Sequence, residues 1–127
     1  MSLGAIIWNR LTTYAPLVAI NAKRVYPLLV PQRLQSGSAI AYQIISTVDT
    51  EGNNKLRETR LQVRCRNDTY DSAHSLASLV ELALIGYADK DQSPQLLDTE
   101  LLNKLDDYEE ELQRYAVIID FTLFYSD

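Results

Sequence analysis

One cysteine, one histidine and four glycines are all that this chain of 127 residues holds of those types. With Cys65 alone, no intrachain disulfide can form, which fits a reducing compartment. The glycines are scattered and build no phosphate-cradling loop. No apolar run approaches the roughly 20 residues that cross a bilayer. The N-terminal MSLGAIIWNRL carries no basic region and no cleavage signal, so neither a membrane span nor a secretory peptide is expected. A basic surplus is also missing. The net charge is −5, the wrong sign for bulk neutralisation of phosphates, and specific nucleic-acid binding is not expected.

What is present suits a globular domain: 46% apolar and 23% charged residues, with no repeat or low-complexity tract. The length allows one core, so residues 1–127 read as a single domain. Such a chain buries about two thirds of its unfolded surface and needs neither disulfide nor metal to fold.

Residues 2–14 read as a helix, with Leu3, Ile6, Ile7, Trp8 and Leu11 at helical spacing and Ser2 as N-cap. Pro16 interrupts it and allows a second short turn through Leu17, Val18 and Ile20. Tyr26 precedes Pro27 and is extended for that reason. RLQSGS is loop by composition, IAYQIISTVDT is a strand, and DTEGNNK is a hairpin loop. RETRLQVRCRN alternates strictly, with Leu61, Val63 and Cys65 on one face and Arg60, Gln62, Arg64 and Arg66 on the other. Asp68, Thr69 and Asp71 are N-cap candidates for a helix whose stripe is Ala73, Leu76, Ala77, Val80 and Leu84, with Gly86 at its end. Residues 87–98 read as an exposed loop, and LLNKL as either an edge strand or one helical turn. LQRYAVIIDFTLFY is a long strand, apolar on both faces and so inside the sheet. The class is therefore α+β: an antiparallel-rich mixed sheet with helices packed on one face.

Catalytic chemistry is hard to find. His74 lies on the polar side of its helix near Ser75 and Ser78. A His–Ser pair would need an orienting group and an oxyanion site that nothing supplies, so His74 reads as a solvated surface residue. Cys65 between arginines could be a reactive thiolate, but it reads more simply as a small apolar core residue. DDYEEE, residues 106–111, lacks the alternating ligands and turn glycine of a calcium loop and reads as a solvated loop or strand end. No catalytic residue, cofactor or metal is expected.

The charges are segregated. Lys55, Arg57, Arg60, Arg64 and Arg66 share one strand arm, and seven acids lie between Asp98 and Glu111. Two explanations stand open. One is cross-strand pairing within a sheet, for instance Asp120 facing Arg64. The other is a self-complementary surface in which one subunit's cations meet the next one's acids, head to tail, closing into a ring.

In order along the chain, RVYPLLVPQ, AYQIIS, TRLQVRCRNDTYDSAHSLASLVELAL and DDYEEELQRYAVIIDFTLFY resemble the tail completion proteins of long-tailed bacteriophages and prophages, which are similar in fold to tail terminators. The chain departs from that pattern at Ile40–Ala41, where a proline is common, and in the leucine-rich stretch 87–105. The resemblance implies a non-enzymatic structural protein. It would form a ring, typically of six subunits, at the head-proximal end of the tail tube and join tail to head. Its partners would be other copies of itself, the tube protein and the head–tail connector. Its place would be the virion tail, after assembly in the bacterial cytoplasm. Arg60, Arg64, Arg66, Glu109 and Glu110 would form the subunit or partner interface. The rival readings are another phage morphogenesis protein, such as a minor tail or connector component, and a small-molecule-binding α+β domain. The last would need a pocket lined by Tyr26, Tyr42, Arg60 and Asp120.

Overall fold

In a computed structural model, which describes residues 1–31, 36–48 and 56–126, helix α1 (Leu3–Thr13) starts at Ser2. The Ser2 hydroxyl accepts from the Ala5 amide at 3.1 Å and satisfies one of the helix's unpaired donors. Pro16 sits in the first turn of α2 (Ala15–Asn21), where its missing N–H costs no helical bond. Ala22 and Lys23 then adopt left-handed conformations and turn the chain into β1 (Val25–Pro27). The Trp8 indole donates to the Val25 carbonyl at 3.2 Å and ties α1 to this strand.

The rest of the chain forms β2 (Ala39–Val48), β3 (Leu56–Asn67), α3 (Tyr70–Leu84), β4 (Gln95–Glu109) and β5 (Arg114–Ser126). The described strands make one sheet in the order β1-β2-β3-β5-β4. Only β1 and β2 pair in parallel. The sheet is thus mixed and antiparallel-rich, as the residue pattern implies, and β5 lies inside it. Pro27 is tolerated because β1 is an edge, where a missing donor breaks no ladder.

Leu61, Val63 and Cys65 of β3 and Val117, Ile119, Phe121 and Leu123 of β5 are buried on one face. Ile6, Ile7 and Leu11 of α1, Leu17 of α2, and Leu76, Ala77 and Val80 of α3 join them in one cluster, so the three helices share that face. Thr69 is the N-cap of α3, its hydroxyl accepting from the Ser72 amide, and Gly86 follows the helix with φ 76°. A side chain at that left-handed position would be strained.

The stretch 87–98 is only partly loop. Strand β4 begins at Gln95 and runs straight through LLNKL. Register shifts at Leu96/Asp98 and Leu101/Asn103 insert an extra residue each. They break the alternation and hide the strand from a period-2 reading. Residues 32–35 and 49–55, which take in half of the expected loop RLQSGS and all of the hairpin loop DTEGNNK, lie outside the described residues.

Candidate functional site

The second face of the sheet carries the charged residues singled out above. Along β3 it presents Arg60, Gln62, Arg64 and Arg66, and along β5 Ala116, Ile118 and Asp120. Along β4 it presents Asp107 and Glu109, opposite Ala116 and Arg114. Arg66 sits between Ala39 on β2 and Ala116 on β5, and Arg64 between Ala41 and Ile118. The three alanines are buried. Small neighbours leave room for the aliphatic stems of the arginines to lie across the sheet.

Arg64 reaches over β5 to Asp107 at 2.5 Å and to Glu109 at 3.7 Å, and Arg66 meets Glu109 at 2.7 Å. These contacts lie within one chain. Of the two explanations left open, these contacts supply the cross-strand one: the alanine floor lets Arg64 and Arg66 reach Asp107 and Glu109 on the same sheet. Asp120 likewise faces Gln62 across the strands rather than Arg64. It accepts from Gln62 at 3.2 Å and pairs with Arg60 at 3.4 Å. Glu110 is exposed in the turn between β4 and β5 and has no ion pair among the described residues. The hydrogen bond from Arg64 holds the Asp107 carboxyl below its ordinary range, against a smaller opposing effect of burial.

Arg114 was not singled out from the sequence, yet it is the largest fully buried side chain, at 1% exposure. It donates to the Gly37 carbonyl, and its Nε lies 3.8 Å from Asp68. Asp68 in turn accepts from the Gly37 amide at 2.9 Å. This cycle joins the start of β5, the approach to β2 and the approach to α3. Burial lowers the Arg114 pKa, and Asp68 opposes the shift. The available signal was the alternation of β5: counting back two residues from Ala116 puts Arg114 on the same face.

On the helix-covered face, His74 is partly covered rather than solvated. Its Nε2 lies 2.8 Å from Oδ1 of Asp106, and its ring packs on Tyr70 at 4.5 Å. Tyr70 donates to the other Asp106 oxygen at 3.0 Å, and Lys104 bonds Glu81 at 3.2 Å. These bonds fasten the outer strand β4 to α3. No serine hydroxyl bonds His74 among the described residues. Cys65 is buried, and burial pushes its thiol well above the ordinary range, away from reactive thiolate. Tyr42 packs against the helix-side core while Arg60 and Asp120 lie on the opposite face, so the four residues of the small-molecule reading do not converge. A groove of about 500 Å³ beside Ser78, Glu81, Leu82 and Ile85 is open to solvent. Among the described residues no cluster of His, Cys, Asp and Glu is placed to hold a metal. No described helix is long and apolar enough to cross a membrane.

Fold and surface together define an α+β domain with one sheet face under helices and the other roofed by its own charged side chains. No protein-family model and no curated protein matches the chain. Its structure is similar to a solved chain described as "Virion of native gene transfer agent (GTA) particle", with a TM-score of 0.84 over 99% of this chain and 96% of that one. The sequences are 18% identical, so the likeness is one of fold.

Proposed function

We propose that the chain is a structural component of a phage-like virion, and within it a tail completion protein of the tail-terminator kind. The supporting observation is the two-way coverage of the fold match: almost nothing of either chain lies outside it. The ordered resemblance of its sequence segments to tail completion proteins points to the same role. On this reading six copies form a ring on the head-proximal end of the tail tube and meet the head connector. The protein works by contact and performs no catalysis.

Deleting the gene from a producing strain tests the proposal. The expected result is filled heads separate from tails, visible by electron microscopy, with joining restored by added purified protein. Normal joined particles from the deletion strain would overturn it. Immunogold label away from the head–tail junction would reassign the chain to another part of the particle.

A further inference from the structure

The two edges of the sheet differ in charge, and the contrast lies elsewhere than in the arginines of β3. The first 48 residues, which include α1, α2, β1 and β2, contain no Asp or Glu. Lys23, just before β1, is exposed and has no ion pair among the described residues. At the opposite edge, residues 95–112 hold seven acids against the single cation Lys104. Asp106, Asp107 and Glu109 are engaged within the chain. Glu100, Glu110 and Glu111 are exposed and have no ion pair among the described residues.

Both edges also expose leucines. Leu28 and Leu29, directly after β1, are 65% and 76% exposed, and Leu102 of β4 is 53% exposed. Strand β4 is 15 residues long and pairs with β5 on one side; on its other side residues 86–89 bond Leu96 and Thr99, and beyond Thr99 no described strand pairs with that edge. A long edge strand with exposed leucines is a template for association. Its acids oppose pairing with a second β4 edge, because like charges would meet. The acid-free β1 edge is the complement that remains.

We propose that the β4 edge of one copy docks on the β1 edge of a second copy, with Leu102 near Leu28 and Leu29 and the free glutamates near Lys23. Two different surfaces meet, so the contact is heterologous and propagates in one sense to a ring or a filament. This deepens the ring reading and relies on it for closure; the contact itself can be tested on free protein.

The test uses Leu29→Cys and Leu102→Cys, both at exposed positions, with Cys65 buried and silent. Mixed under mild oxidation, the two single variants should form a disulfide-linked dimer about tenfold faster than either alone. The rate should fall several-fold at about 0.5 M salt. The double variant should give a ladder of oligomers. Equal self-linking by each single variant, or no mixed dimer at roughly millimolar protein, would overturn the proposal. A ladder combined with normal particles from the deletion strain keeps the contact and removes the tail role. Failed head–tail joining in that strain, with no mixed dimer, keeps the role and rules out this contact.

Discussion

Strand β3 shows two ways of closing a sheet face within a few residues. Leu61, Val63 and Cys65 are buried because helices lie on them, and Gln62, Arg64 and Arg66 are half-buried with no described helix above them. On the first face water is excluded by apolar matter from distant parts of the chain. On the second, long polar side chains fold over a floor of alanines and bond across to β4 and β5. The first face draws on the hydrophobic effect, roughly 25 cal/mol per Å² buried. The second gains packing of alkyl stems and a few solvent-screened ion pairs, each worth about 1 kcal/mol or less. Stability should therefore depend mainly on one face and be tolerant on the other.

The sharpest way to break that contrast is to place equivalent charges on the two faces. Val63 and Ile119 are fully buried opposite each other on the helix side. Val63→Asp puts an unpaired carboxylate among apolar neighbours and should cost about 4 kcal/mol or more, enough to unfold a marginal domain. Arg64→Glu, one residue on, should leave a folded protein destabilised by about 1–2 kcal/mol, because an acid then faces Asp107 and Glu109. Urea unfolding monitored by circular dichroism reads both. Equal losses would mean that the open face bears as much of the stability as the core.

Arg114 is the exception on the open side and ranks next. Arg114→Met keeps much of the volume but leaves the Gly37 carbonyl without that donor. The expected loss is about 2 kcal/mol, within the range for an unmet buried polar group. Asp68 is largely exposed and can be hydrated, which keeps the figure below that for a fully buried pair. A midpoint unchanged in urea would show that the Arg114–Gly37–Asp68 cycle adds nothing.

The same two faces explain what could be read from residues alone. Strict alternation in 57–67 and an apolar stripe in 73–84 are local signals, and both elements stand where they point. The extended dipeptide at Tyr26–Pro27 and the cap at Ser2 are equally local. Strand β4 was hidden by its two bulges, since an inserted residue puts Leu101 and Leu102 where alternation expects one apolar residue. The expected Asp120–Arg64 pairing fails because register is not local. Placing Asp120 opposite Gln62 rather than Arg64 depends on how β3 and β5 slide past each other. Arg64 also skips β5 to reach β4, and only the strand order β3-β5-β4 with Ala116 beneath makes that possible. Segregated charge along a chain therefore says little about assembly until intrachain partners are removed. Among the described residues of the two sheet edges, those then left without an ion pair include Lys23 on one edge and Glu100, Glu110 and Glu111 on the other.

The smallest effect expected is the most specific to the open face. The Arg64 hydrogen bond lowers the Asp107 pKa, with Coulomb attraction adding to it and burial opposing it. A carboxylate whose folded pKa lies below its unfolded value of about 4 contributes stability that is fully present above that value. The contribution is lost as pH falls through the folded pKa. Asp107 is nearly half exposed, so solvent screens the pair and the contribution at neutral pH should stay under about 1 kcal/mol. Arg64→Gln should raise the Asp107 pKa toward its ordinary value, as followed by carbon-13 NMR of the carboxyl carbon. It should also flatten the dependence of stability on pH between about 4 and the folded pKa of Asp107. High salt should shrink the difference between the two proteins, because the bond is solvent-accessible. An Asp107 titration with the same midpoint in both would mean that Arg64 covers the sheet by packing alone, and the charged roof would be no more than a steric one.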